Sequence, residues 1–408
     1  MTTALRDFIK NPTAAELELV ARYAMQSEDA RRERAFLAFA ETGLPHRRME
    51  AWKWTDFKAA LKALETPAGA SAKDPVPHEG ALVFRFSPKG YEAPASLPDG
   101  IRMMAQPGVQ AFPGAEDVPM GALAAALAGG GKRPATLAFE ITSGDAPRLH
   151  FVFDGSGEAS FARIVFLIRS GASLTLTESY LGGAGLTASV LEFDLEQDAR
   201  LNRTIFQRGG SDEALAVTGI AHLGAEAEMT QTTLAFGAKV ARMETRVVHQ
   251  ASGSKLNLNA AYLSGKGFHA DITTNVRHGA PSCVTRQLTK GAVLDGGTGV
   301  FQGKFFVPRK TGQHTDADMQ HQALLLEDGA QVFAKPELEI YADDVECAHG
   351  NTCGALDDAQ MFYLRQRGIP ETQARAMLTE AFIAEALGMA DEAVRDVLLA
   401  EAQNWLSL

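Results

Sequence analysis

The sequence predicts a mainly β chain with helical ends, in which a right-handed parallel β-helix core is flanked by N-terminal and C-terminal helical regions. Three observations carry that prediction. From about Pro134 to Val345 the chain breaks into short runs of alternating apolar and polar residues, the pattern of strands with two faces. Turn residues recur through the same stretch at a near-constant step, the mark of a solenoid. Helical texture dominates only before Leu64 and after Asp357.

Composition sets the frame. With 408 residues, 46 % of them hydrophobic and 22 % charged, the chain has the make-up of a globular protein with a large core and room for two or three domains. A net charge of −11 leaves no basic field for a polyphosphate backbone, so a nucleic-acid partner is not expected. The Arg31-Arg32-Glu33-Arg34 cluster reads as a solvated helix face. Arg6, Asp7, Lys10, Glu16 and Glu18 interrupt the first twenty residues, and Ala122 to Ala128 is too short to cross a bilayer. A cytoplasmic protein without stable membrane association is the expectation.

The N-terminal region, residues 1–133, opens on Asn11-Pro12, with Asn as a helix cap and Pro in the first turn. Glu16–Met25 and Asp29–Glu41 have helical composition, and the helical character extends to about Leu64. A Pro/Gly/Ala-rich linker follows near 66–80. Ala81–Gly131 is mixed, with a strand at Ala81–Phe86 and a short helix at Gly121–Ala128.

The core, residues 134–346, holds strand runs at His150–Phe153, Arg163–Ile168, Ser173–Glu178, Val190–Leu195, Ala199–Phe206, Lys255–Tyr262 and Gln331–Tyr341. Turn pairs begin at Gly171, Asp198, Gly224, Gly253, Gly279, Gly303 and Gly329, in steps of 27, 26, 29, 26, 24 and 26. An antiparallel sandwich with turns every 8 to 12 residues would sample some of the same positions. The left-handed hexapeptide solenoid is set aside because its six-residue apolar repeat is absent; a polysaccharide-processing β-helix stays open on this region alone.

The C-terminal region, residues 347–408, is helical again. Pro370 opens a segment placing Ala374, Met377, Leu378, Ala381 and Phe382 on one face; after Gly388, Ala393, Val394, Val397 and Leu398 form another. Such helices pack within the chain, cap the open end of a solenoid or dock a partner.

The stretch DDVECAHGNTCG, Asp343–Gly354, carries the chemistry. If Glu339–His349 continues as a strand, Cys347 and His349 project from one face, with Cα atoms about 6.5–7 Å apart. A thiolate and an imidazole so placed can share a metal, yet two ligands fall short of the four that zinc or an iron–sulfur cluster usually takes. Distant residues or a second chain must complete the shell. Cys353 lies beyond Gly350, where the strand is expected to turn, and is the weaker candidate. With Cys283 the chain has three cysteines and no C-x-x-C pair, so thiols are expected and not a disulfide framework. His249, His269, His278, His314 and His321 read as hydrogen-bonded structural or surface residues. Catalysis by Cys347 with His349 as base lacks an oxyanion loop and a third orienting group. No phosphate-binding loop exists: Gly131-Lys132, Gly265-Lys266 and Gly303-Lys304 each lack the Ser or Thr that must follow.

These residues carry a resemblance. Val300–Ile369, with QHTDADMQ, LLLEDGA, KPELEIYADDV, the C-x-H-G of Cys347–Gly350 and FYLRQRGI, resembles the C-terminal core of the SufB/SufD family of iron–sulfur cluster assembly proteins. LPHRRMEAWKWTDF, Leu44–Phe57, is similar to the family's N-terminal motif, with Trp54 where Tyr is usual. The two anchors cover about a fifth of the chain. Cys-Ala-His-Gly in place of an E-H-E-A-type sequence, and the missing N-terminal cysteine motif, make it most like the SufD branch.

The resemblance implies a non-catalytic scaffold subunit. It would pair with a SufB-like scaffold through the β-helix and with a SufC-like ATPase through the C-terminal helices. It would help iron entry and nascent cluster formation at the subunit interface, with Cys347 and His349 as ligands and a transient iron or iron–sulfur cluster shared with the partner chain; none would be bound tightly by the isolated chain, which could form a homodimer. No family role falls to Cys353 or Cys283. The alternative is a purely structural subunit that positions SufB and SufC.

Overall fold

The computed structural model describes residues 9–26, 29–64, 72–104, 114–129, 135–145 and 147–406. Gly131-Lys132 and the first part of the linker lie outside the described residues.

The alternating runs wind into a parallel β-solenoid with two ladders. The first passes through β1 (Ala81–Ser87), β5 (Arg148–Ser156), the first half of β7 (Ser173–Leu195), β8 (Arg200–Arg208), β10 (Glu228–Phe236), β12 (Lys255–Ser264), β14 (Val284–Val293), β16 (Asp316–Leu325) and β18 (Glu346–Gly354). The second passes through β4 (Thr136–Ile141), β6 (Ser160–Ile168), the second half of β7, β9 (Asp212–Leu223), β11 (Val240–His249), β13 (His269–His278), β15 (Thr298–Val307) and β17 (Gln331–Ile340). Short strands β2 (Gly90–Glu92) and β3 (Ile101–Met103) pair antiparallel with β1 and β4. One apolar core, from Phe84 and Phe139 to Phe301 and Met319, fills the space between the ladders.

Ser173, Arg200, Glu228, Lys255, Val284, Asp316 and Glu346 stand in register, so successive coils take 27, 28, 27, 29, 32 and 30 residues. The local cause is a repeated corner. Two residues before each of these strands up to β16, Gly171, Asp198, Glu226, Gly253, Ser282 and His314 adopt left-handed backbone, with φ between 55° and 77°. Their amides link corner to corner: Asp198 N–H donates to Ala225 O at 2.9 Å and Ser282 N–H to Gln313 O at 3.0 Å. Gly303 is no corner; it lies inside β15, where a Cβ would come within 2.4 Å of Met319 Sδ.

Helices cover the outer faces of the ladders, but not at the far end. The second ladder is clad by α1 (Ala14–Ala24), α2 (Ala30–Thr42) and α4 (Pro119–Leu127), which bury Leu19, Phe36, Phe39 and Leu123 against Leu186, Val190, Ala214 and Ile220. On the first ladder, α6 (Glu371–Leu387) and α7 (Glu392–Leu406) bury Ile383, Leu387, Val394 and Leu398 against Phe206, Leu234 and Leu263. They lie on the flank and do not cap the end. The buried stripe of α6 also differs from the expected one: Ala374, Thr379, Ile383, Ala386 and Leu387 face in, and Met377 is exposed.

Two N-terminal expectations change as well. Thr13, not Asn11, caps α1, through a reciprocal box with Glu16, and Asn11 is left-handed. Arg32 is largely buried, its Nε donating to Ala126 O at 3.0 Å, so the arginine cluster is not all solvated. No helix among the described residues is long and apolar enough to cross a membrane.

Candidate functional site at the open end of the solenoid

β17 ends at Ile340, the chain turns, and β18 begins at Glu346, so Cys347 and His349 belong to the last strand of the first ladder. Register fixes their direction. Cys347 pairs with Ala317, His349 with Met319, Asn351 with His321 and Cys353 with Ala323, and all four partners are buried. The alternation therefore puts Cys347, His349, Asn351 and Cys353 in one inward-facing row. Among the described residues no further coil covers it: Cys347 is half-buried, while His349, Asn351 and Cys353 are exposed.

The shared face of Cys347 and His349 is as the sequence suggests, whereas Cys353 joins the row because Gly350 does not turn the strand. A Cβ at Gly350 would stand 2.2 Å from Gln320 Oε1, the movable end of a side chain on the adjacent coil. Behind the row, His321 Nδ1 and Asn351 Oδ1 are 2.6 Å apart, and His321 Nε2 lies 3.0 Å from Tyr262 Oη. Burial pushes the Cys347 and Cys353 thiols above their ordinary pKa, which favours the neutral thiol until a cation draws off the proton. All three cysteines are free.

The other singled-out residues sit elsewhere. Cys283 is buried, with Sγ toward Ala280 O at 3.3 Å. His249 and His278 stack 4.9 Å apart inside the solenoid, both on Thr285 Oγ1, and burial lowers them to about 3 and about 4. His314 pairs with Asp344 on the surface at 2.9 Å. His269 Nε2 lies 3.0 Å from Thr55 Oγ1.

That contact shows what the LPHRRMEAWKWTDF segment does structurally. It lies on the outer face of the second ladder: the Arg242 guanidinium sits 3.8 Å from the Trp52 ring centroid, and Arg242 and Gln302 both donate to Ala51 O. Trp54 stacks on Phe333 of β17 at 5.8 Å. The N-terminal segment thus braces the terminal coil from outside.

A second group went unnoticed in the sequence. Among the described residues, the one set of three metal-ligating side chains whose donor atoms all lie within 4.8 Å of one another is Asp74, His78 and His150. Asp74 and His78 come from the segment read as a linker, and His150 from β5. Their four-residue spacing was the one sequence signal, and nothing in it pointed to His150.

The chain is similar to proteins of one family. The family profile described as "SUF system FeS cluster assembly, SufBD core domain" matches residues 151–382. The Escherichia coli iron–sulfur cluster assembly protein SufD is 39 % identical over 165 residues, 40 % of this chain and 39 % of that protein. A SufBD family iron–sulfur cluster assembly protein of Synechocystis is 32 % identical over 242 residues, 55 % of this chain and 52 % of its own length. One from Mycobacterium leprae is 32 % identical over 237 residues, 55 % of this chain and 60 % of its own. The chain thus spans between about two fifths and three fifths of these relatives.

Proposed function

Because the chain belongs to the SufBD family of the SUF iron–sulfur cluster assembly system, we propose that it acts as a SufD-like scaffold whose Cys347 and His349 help hold iron, or the nascent cluster, at an interface with a SufB-like partner. The observation that carries this reading is the uncovered inward row on β18. Side chains that elsewhere in the ladder lie between two coils here have one, β16, on one side only, and among the described residues no coil covers the other. Two ligands from one strand leave a cluster's shell incomplete, and a second chain abutting the open end supplies the rest.

The cluster is cargo. It is formed and passed on, so the isolated chain holds none tightly, and the chain itself is not a catalyst. Cluster formation requires the Cys347 thiol to lose its proton, so loading weakens at acid pH. A SufC-like ATPase docks at the C-terminal helices, where α5 (Asp358–Gln366) buries none of its side chains and exposes Phe362 and Tyr363 beside a cavity of about 540 Å³ that also touches Leu325, Leu356 and Arg375. The half-buried β17 and the largely exposed β18 also suit self-pairing when the partner is absent.

The test is anaerobic co-purification with SufB-like and SufC-like partners, measuring iron and sulfide per complex. The reading expects His349→Ala to lose most of the cluster while the complex stays intact. A full cluster yield in that variant would leave the chain as a structural subunit that only positions its partners.

A further inference from the structure

We propose that Asp74, His78 and His150 form a binding site for a zinc-type divalent cation, separate from the open end of the solenoid, that pins residues 72–80 onto the first ladder. Asp74 Oδ2 is 3.0 Å from His78 Nε2 and 3.2 Å from His150 Nε2. A tetrahedral zinc with bonds of about 2.0–2.1 Å sets ligand-to-ligand edges of about 3.3–3.4 Å. The two Asp74 edges therefore need to lengthen by only a few tenths of an ångström to admit the ion, and the third, between the imidazoles, lies within 4.8 Å.

The carboxylate is already oriented for this. Its other oxygen, Oδ1, accepts from Val76 N–H at 3.1 Å and from the Ser179 hydroxyl at 3.1 Å, which leaves Oδ2 aimed at the two imidazoles. Ser179 Oγ is also 2.9 Å from His150 Nε2. His150 is fully buried and its Nδ1 has no partner among the described residues, so the ring is held from the Nε2 side, where the donors converge. His78 is partly exposed, which leaves an entry path and a coordination position toward solvent.

Two imidazoles and one carboxylate suit zinc and its first-row neighbours, and not calcium or magnesium, which want oxygen shells. The place matters too. Val76, between two of the ligands in sequence, is buried in the cluster that joins the first ladder to α6 and α7, and Arg148 bonds Pro77 O and lies 3.7 Å from Asp391 before α7. An ion here would tie the N-terminal region, the solenoid and the C-terminal helices at one point.

The experiment is Zn²⁺ titration of the full-length chain, with Co²⁺ absorption as a spectroscopic reporter, in a Cys347→Ser/Cys353→Ser background that removes thiolate ligands. The expected result is one saturable Zn²⁺ per chain and a Co²⁺ band of tetrahedral or five-coordinate nitrogen/oxygen ligation, with affinity at least about tenfold weaker in His78→Ala and in Asp74→Asn. Zn²⁺ should raise the Tm of the parent and not of the variants. His78→Ala alters a partly exposed side chain and should fold, which its metal-free Tm verifies. Unchanged Zn²⁺ affinity in His78→Ala, or no saturable binding by the parent, would overturn the site and leave the three residues as a hydrogen-bonded latch.

Discussion

Two groups of metal-ligating side chains, each with an imidazole, are built on opposite plans. On β18, Cys347, His349 and Cys353 stand in a straight row, open to solvent, set by strand alternation. At the start of the first ladder, Asp74, His78 and His150 converge from two distant segments onto one carboxylate oxygen in a largely enclosed place. A row on a strand can offer one ion two neighbouring side chains, too few to fill its shell, so it asks for a second surface. A convergent trio asks for nothing but the ion. On the roles proposed for them, the difference separates a place suited to passing cargo from one suited to keeping it.

The largest effect that tests this contrast is on cluster yield. In the purified complex, Cys347→Ala/His349→Ala should abolish bound iron and sulfide while His78→Ala leaves both unchanged; the opposite pattern would exchange the two roles. Next is the floor beneath the row. Met319 is fully buried under His349, so Met319→Ala should cost about 2–5 kcal/mol in denaturant unfolding. A cost near zero would mean that the terminal coil is loosely packed and its row poorly held.

A smaller effect belongs to the histidines buried inside the coils. Burial lowers His249 to about 3, and His278 and His321 to about 4. Their folded pKa values lie below the unfolded value near 6.5, so the stability they contribute is present above that pH and is lost as pH falls toward 4. At pH 5.5 each accounts for about 1 kcal/mol, and Tm measured between pH 7.5 and 5 should fall less steeply in His278→Gln than in the parent. Equal slopes would place the acid sensitivity elsewhere. Smallest is Trp54→Tyr, which keeps an aromatic ring over Phe333 and should shift stability by less than about 1 kcal/mol.

The sequence made the periodic features legible. Alternation revealed the strands, and the repeated corners set a step close to the observed coil length, because each corner recurs with the same backbone need. Cys347 and His349 were visible for the same reason: strand alternation is a rule about near neighbours. Glycine misled as a turn signal. Gly303 and Gly350 read as turns but lie within strands, facing the Met319 and Gln320 side chains of the adjacent coil. The Asp74–His78–His150 trio was invisible because no spacing rule joins a Pro-rich segment to a strand seventy residues on. The burial of Arg32 depends likewise on a carbonyl from a distant helix, Ala126 O.

The register of the first ladder has a consequence for inheritance. The facing of Cys347 and His349 is a parity, carried from Ser173 to Glu346 through six in-register steps. The two longest, 32 and 30 residues, flank β16, so the extra residues fall in the connections and leave the strands in phase. Codons gained or lost in those connections should thus be nearly silent, whereas a single-codon deletion inside β16 or β18 would turn part of the row outward with its chemistry intact and its direction lost. A deletion scan of this gene should show two alternating grades of tolerance, with boundaries at the strand ends.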